Sequence, residues 1–172
     1  MGFQKNLSHL TWDEVYARQE QQDFLFPAWM EALQLNAGDH VLDLGAGPGY
    51  VSRRMASHVG PTGLVYVVDR APEAIVSLQE RLRRDAVTNI RGVVVNVLQL
   101  RVEDVDADNV SAVLLAMMLH HTADPAALIG RPTELLSADA RAVIAEFHPV
   151  GSAQSGPPRD ARISPEQIQA WL

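Results

Sequence analysis

Short apolar segments recur along the chain, separated by longer stretches with helical periodicity. Each segment is four to seven residues long and rich in Val, Leu and Ile. Such runs are typical of strands that are covered on both faces of a parallel sheet. They lie at residues 41–44, 64–68, 90–95, 110–116 and 141–147.

The stretches between these segments predict helices near residues 49–58, 72–86 and 124–136. Proline costs about 3 kcal/mol inside a helix, so Pro132 should break or kink the last of them. Before the first strand, Thr11 and Glu14 form a capping-box pattern, and an apolar helical segment follows at 24–35. Strands alternating with helices predict an α/β fold: a Rossmann-like, doubly wound, mainly parallel sheet with helices on both faces.

Composition excludes several kinds of protein. The 172 residues include no cysteine, which removes disulfides and thiolate metal sites. A net charge of −7 argues against a nucleic-acid partner, because such partners are bound largely through Lys and Arg. No segment is long and apolar enough to cross a membrane, and the N-terminus lacks the apolar core of a secretory signal. We therefore expect a cytoplasmic protein with no membrane partner.

The first strand runs directly into a glycine-rich turn, VLDLGAGPGY at residues 41–50. In a doubly wound sheet, the first strand-to-helix turn must let a ligand touch bare backbone. Gly45, Gly47 and Gly49 remove side chains from that turn, and the amides of the following helix favour a negative group. The turn predicts a binding site for a ligand that carries a carboxylate or a phosphate.

The glycine spacing separates two kinds of ligand. Nicotinamide and flavin sites use G-x-G-x-x-G, whereas this turn reads G-A-G-P-G and follows Asp43. A dinucleotide-dependent oxidoreductase is therefore disfavoured. The turn resembles motif I of the class I S-adenosylmethionine-dependent methyltransferases, D-x-G-x-G-x-G.

Other segments extend this resemblance over residues 36–149. They are LVYVVDRAPEAI, NIRGVVVN and AVLLAMMLHHTADPAALI, and the second strand ends at Asp69, twenty residues beyond Gly49. Two carboxylate oxygens there can accept both hydroxyls of an adenosine ribose. Within the class, the chain looks most like the small-molecule, ubiquinone/menaquinone-biosynthesis-like branch known as methyltransferase domain 11 or 25.

The resemblance implies S-adenosyl-L-methionine as the cofactor and gives each contact residue a role. Asp43 and the backbone of Gly45, Ala46, Gly47 and Gly49 would hold the methionine end. Asp69 would bind the ribose and Arg70 would lie against the adenine. Asn96 stands where the family usually has an acid, so its carbonyl would accept from the adenine amino group without charge assistance, and cofactor affinity should fall by about 1 kcal/mol. Val97, Ala116 and Met117 would complete the cofactor site.

Methyl transfer from a sulfonium needs mainly alignment of donor and acceptor, and this leaves the catalytic residues open. A carbon or oxygen acceptor would benefit from a general base. The candidates at the ends of the fourth and fifth strands are His120, His121, Glu146 and His148. Each of these side chains can equally have a structural role, such as a hydrogen bond to the backbone of a loop. No ligand spacing supports a metal site among them.

The chain divides into three predicted parts: a helical leader or lid at 1–38, the cofactor-binding domain at 39–149, and a Gly/Pro linker with a terminal helix at 150–172. Family members usually continue into two further strands that form an antiparallel hairpin, which this sequence lacks. Strand 141–147 then becomes an exposed edge. We expect that strand, or helix 164–172, to be covered by a second copy in a homodimer.

Two functions follow from the resemblance. The first is methyl transfer from S-adenosylmethionine to a small-molecule acceptor. The second is a module, or a truncated homologue, that binds S-adenosylmethionine without transferase activity. The first is the favoured function, because the charge is acidic and no nucleic-acid element is present. The missing hairpin and Asn96 make the second alternative credible.

Overall fold

The computed structural model describes residues 10–136, 138–151 and 156–172. Within these ranges five strands form one sheet in the order β3-β2-β1-β4-β5, and all four strand pairs are parallel. The strands are β1 His40–Leu44, β2 Leu64–Asp69, β3 Ile90–Val94, β4 Val110–Ala116 and β5 Arg141–Ala145.

Six α-helices accompany the strands in the same ranges. They are α1 Trp12–Glu20, α2 Phe26–Leu33, α3 Tyr50–Val59, α4 Pro72–Arg84, α5 Pro125–Leu135 and α6 Pro165–Trp171. Thr11 and Glu14 close a capping box at the start of α1, and Ser164 and Gln167 close one at the start of α6. No helix in the described residues is long and apolar enough to span a bilayer.

The strand order reverses at β1, which pairs with β2 on one side and with β4 on the other. Chain segments leaving the carboxyl ends of β1 and β4 therefore diverge to opposite faces of the sheet, and a crevice opens between them. The glycine turn follows β1 directly and so lies at this crevice.

The core consists of two apolar clusters, and β1 contributes to both through alternating side chains. Val41 packs with residues of α2, α3 and α4, whereas Leu42 and Leu44 pack with residues of β4 and α5. Helices thus cover both faces of the sheet. The predicted Rossmann-like fold is confirmed.

The chain beyond β5 folds back onto the domain. Ile168 and Trp171 on α6 pack against the second cluster. The buried Arg162 donates to the carbonyl oxygens of Pro157 (3.0 Å) and His148 (3.1 Å). The apolar face of the terminal helix is therefore received by its own chain.

Two local expectations need correction. β5 ends at Ala145 rather than at residue 147. Its last bond to the loop after β4 joins the Met117 N–H to the Ala145 carbonyl (2.8 Å). The next side chain, Glu146, is held by residues 119–120 instead of continuing the strand. Pro132 does not break its helix, since α5 ends at Leu135, one turn after it. Proline removes only the bond to the carbonyl four residues before it, and its own carbonyl still accepts from the Leu136 N–H (3.0 Å).

Within the described residues, no strand pair is antiparallel, and β5 pairs only with β4. The expectation of an edge strand without the family's hairpin therefore holds for the part of the chain that the structure describes. The three-part division of the chain remains a prediction.

Candidate active site

A cavity of about 690 Å³ opens at the carboxyl ends of the strands. Ten of the residues named from the sequence line it, and they come from four separate stretches of the chain. They are Gly45, Gly47, Asp69, Arg70, Asn96, Val97, Ala116, Met117, His120 and His121. The lining does not include Asp43, Ala46, Gly49, Glu146 or His148.

The glycine turn presents backbone to this cavity. Gly45, Gly47 and Gly49 all have left-handed φ angles, of 72°, 58° and 79°, a conformation that side chains disfavour. A Cβ atom added to Gly45 would overlap the side-chain sulfur of Met118. The turn therefore depends on glycine for both its conformation and its close approach to the next loop.

Asp69 links the end of β2 to the glycine turn. Its Oδ2 accepts from the Gly47 N–H (2.8 Å), and its Oδ1 accepts from the Ala71 N–H (2.9 Å). A carboxylate offers about four lone-pair positions, so each oxygen keeps capacity for one further donor. The carboxylate is thus fixed by backbone while it still faces the cavity.

Asp43 lies behind the turn rather than in the cavity wall. It is 3% exposed, and its Oδ2 accepts from the Ser52 hydroxyl at 2.6 Å. Burial raises the pKa of Asp43 to about 7, although the bond from Ser52 opposes that rise. This geometry gives Asp43 the role of bracing α3 against β1, without direct access to a ligand.

The loops after β2, β3 and β4 form the rest of the wall. Val97 is buried, whereas Asn96 is exposed and its Oδ1 accepts from the Leu98 N–H (3.0 Å). The amide group of Asn96 thereby caps a short 3₁₀ turn. Met117 has a left-handed φ of 55°, which costs a non-glycine residue on the order of 1 kcal/mol or more.

The candidate bases are arranged unequally. His120 Nδ1 lies 2.8 Å from Glu146 Oε2, and the two side chains are 4% and 3% exposed. The His121 ring lies 4.0 Å from the His120 ring. His148 instead accepts from the Val150 N–H (3.3 Å). The described residues contain no group of three or more metal-ligating side chains.

Gln19 is a site residue that sequence reasoning missed. Its amide donates to the Ala46 carbonyl (3.0 Å) and accepts from the Tyr50 N–H (3.2 Å), so it bridges the glycine turn to the start of α3. Trp12, Val15, Gln19 and Gln22 line the cavity together. Their spacing of three to four residues was the available signal, because it places them on one face of a helix.

A parallel sheet in this order, with a G-x-G-x-G turn after the first strand and an acid at the end of the second, is the arrangement expected of a class I S-adenosylmethionine-dependent methyltransferase. The family model described as "Methyltransferase domain" matches residues 35–170. The chain belongs to this family, and the class expected from the sequence is confirmed.

Solved structures share the fold. A SAM-dependent methyltransferase from Aquifex aeolicus superposes with a TM-score of 0.72 at 18% identity, covering 92% of this chain and 85% of that one. The [4+2]-cyclase SpnF superposes with a TM-score of 0.71 at 18% identity, covering 99% of this chain and 60% of that one. At 18% identity, these two superpositions show a shared fold and nothing more specific.

Curated relatives match a shorter stretch. The protein-L-isoaspartate O-methyltransferase of Ignicoccus hospitalis is 43% identical over 61 residues, which is 36% of this chain and 29% of that protein. That of Fervidobacterium nodosum is 38% identical over 60 residues, which is 35% of this chain and 30% of that protein. Each match thus spans about 30% of the length of these curated relatives.

The residues present fit the cofactor that the family implies. Bare backbone at the glycine turn suits the amino-acid end, and the free lone pairs of Asp69 suit two ribose hydroxyls. Val97 lines the cavity beside Asn96, where the resemblance places a backbone contact to the adenine. S-adenosyl-L-methionine is therefore the cofactor of this site.

Proposed function

We propose that the protein transfers a methyl group from S-adenosylmethionine to a small-molecule acceptor. One observation carries the proposal: Gly47 and Asp69, which suit the cofactor, line the same cavity as His120 and His121, which suit an acceptor. When bound, the cofactor supplies an electrophilic methyl group on a sulfonium. The chain contributes by holding donor and acceptor in line, an effect worth about 7 to 11 kcal/mol.

A small acceptor suits the cavity better than a protein chain does, because α1 covers part of it. The curated relatives are named for a protein substrate, isoaspartate. Here α1 contributes Trp12, Val15 and Gln19 to the cavity wall, and its contacts reach α3 and α4. A folded partner would have to hold α1 away from the cavity during transfer, whereas a metabolite can lie beneath it. The net charge of −7 supports the further proposal that nucleic acid is not the acceptor.

Calorimetry with S-adenosylhomocysteine tests cofactor binding, and radiolabelled methyl transfer to a metabolite panel tests the reaction. Asp69→Ala should weaken cofactor binding by about tenfold or more, because it removes a charged acceptor worth about 1.5 to 3 kcal/mol. Asp108→Ala, at an exposed position outside the cavity, is the matched control. Equal binding by wild type and Asp69→Ala would contradict the proposal.

The alternative is a module that binds S-adenosylmethionine without transferring its methyl group. Asn96, which stands where the resemblance predicts an acid, supports this alternative because it removes a charged acceptor from the cofactor site. Cofactor binding with no methylated product from any acceptor would support this alternative and overturn the transferase proposal.

The first helix of the leader, α1, acts as a lid in this proposal. α1 buries none of its residues completely, and it is tied to the domain by polar side chains. Asp13 pairs with Arg81, and Tyr16 accepts from Arg53 at 3.2 Å. Such contacts can break and re-form without exposing an apolar core. α1 can therefore admit the cofactor and then cover it.

A homodimer through β5 belongs to the same proposal. One edge of β5 has no partner strand within the described residues, and α6 already packs on its own chain. We therefore confine the proposed contact to the β5 edge and leave α6 out of it.

A further inference from the structure

Glu146 is surrounded by hydrogen-bond donors at the carboxyl end of β5. Its Oε1 accepts from the Leu119 N–H (2.6 Å), and its Oε2 lies 2.8 Å from His120 Nδ1 and 3.3 Å from the Phe147 N. Backbone N–H groups can only donate. The side chain is 3% exposed, so these donors replace water as the partners of its two oxygens.

This arrangement favours one tautomer of His120. Both oxygens of Glu146 face backbone donors, so the neutral imidazole is best accommodated with its proton on Nδ1, the nitrogen that faces Glu146, and its lone pair on Nε2. His120 lines the cavity, and within the part of the chain that the structure describes its Nε2 makes no hydrogen bond. A basic nitrogen is therefore available inside the proposed acceptor site.

The surroundings of this nitrogen are aromatic. The Phe147 ring meets the His120 ring edge-on with centroids 5.7 Å apart, and the His121 ring lies 4.0 Å away. Phe147, His121 and Trp12 all line the cavity. Planar rings pack favourably against such side chains, so an aromatic acceptor suits this wall.

A positioned base is needed only for some acceptors. A free amine and a carboxylate have a lone pair ready to attack and no proton that must leave first. A phenolic hydroxyl must lose its proton as its oxygen attacks. The site therefore contains the group that a phenol requires.

Building on the proposed function, we propose that His120 is the general base for methylation of a phenolic hydroxyl and that Glu146 is its positioning residue. The phenol O–H bond breaks and its proton passes to His120 Nε2. The oxygen forms a bond to the methyl carbon as the carbon–sulfur bond breaks, and that electron pair stays on sulfur. The products are a methyl ether, a neutral thioether and a protonated imidazole, which returns its proton to water.

A test that needs no knowledge of the natural acceptor uses 4-nitrophenol, whose phenolate absorbs in the visible range. The probe is added to protein saturated with S-adenosylhomocysteine, at a pH where the free probe is mostly the neutral phenol. Wild type should raise the phenolate fraction severalfold, His120→Gln should abolish the rise, and Glu146→Gln should reduce it. His58→Gln, on the surface of α3 and outside the cavity, is the matched control and should behave as wild type.

Charge alone provides the competing explanation for such a rise. Arg18 and Arg70 also line the cavity and attract a phenolate electrostatically. A rise that persists in His120→Gln would come from these arginines and would overturn the proposal. No rise in wild type would overturn it as well. If S-adenosylhomocysteine itself does not bind, the proposed function fails instead, so the two failures are distinguishable.

A second measurement covers the case in which a variant does not fold. Nitrogen-15 NMR of the histidine rings in wild-type protein reports which nitrogen of His120 carries the proton. The proposal requires protonated Nδ1 and unprotonated Nε2, and the reverse would overturn it. With an accepted phenol, His120→Gln should lower kcat by about 10²- to 10⁴-fold and leave cofactor affinity unchanged.

Discussion

Burial sets the charge state of Asp43 and links the stability of the fold to pH. An aspartate in the unfolded chain ionises near its ordinary pKa of 3.8, whereas burial raises the pKa of Asp43 to about 7 in the folded protein. Between these values the folded state holds a proton that the unfolded state has lost. The stabilisation is therefore complete below about pH 4 and is lost as the pH rises through 7.

Replacing Asp43 by asparagine should remove this dependence. Over the interval between the two pKa values, wild type should lose about 4 kcal/mol of unfolding free energy relative to Asp43→Asn, because one pKa unit corresponds to about 1.36 kcal/mol. Urea unfolding of both proteins from pH 4 to 8 measures the difference. Asp108→Asn, at an exposed position, should run parallel to wild type. Parallel curves for Asp43→Asn would show that Asp43 is not protonated in the folded protein.

At the scale of elements, the local sequence pattern was enough to predict where the strands, the helices and the glycine turn lie. Apolar runs gave the five strands to within two residues at each end, and the spacing of Asp69 from the turn brought both to one cavity. The bonds of Gln19 to the glycine turn and the pairing of His120 with Glu146 could not be found in this way, although helical spacing places Gln19 on one face with Trp12, Val15 and Gln22. Their partners lie more than 25 residues away along the chain, so only the packing of α1 and of the β5 end brings them together.

Loosening α1 should speed release of the cofactor product. The double variant Asp13→Asn with Tyr16→Phe removes an ion pair to Arg81 and a hydrogen bond from Arg53. Each polar contact is worth about 1 kcal/mol, so the dissociation rate of S-adenosylhomocysteine should rise by about fivefold or more. Stopped-flow displacement measures that rate. Glu20→Gln, at an exposed position of α1 away from the contacts of Asp13 and Tyr16, should leave the rate at the wild-type value. An unchanged rate in the double variant would argue against the lid.

At the scale of the whole molecule, the sheet has two edges of different character. β3 carries Arg91 and Gly92, which weaken an edge as a pairing surface, whereas the last four residues of β5 are Ala142, Val143, Ile144 and Ala145. Natural proteins protect an exposed apolar edge with charge or with another chain. The last four residues of β5 carry no charged side chain. β5 is therefore the edge suited to pairing with a second copy related by twofold symmetry.

Light scattering during size-exclusion chromatography tests this assembly directly. Wild type should elute at twice the mass of the chain, and Ala142→Lys, at an exposed position of β5, should elute as a monomer because an edge lysine opposes strand pairing. Val94→Lys places the same charge on the opposite edge, where the side chain is 51% exposed, and should stay dimeric. A dimer that only Val94→Lys disrupts would assign the contact to β3. A wild-type monomer at every concentration would mean that the β5 edge is satisfied without a second copy.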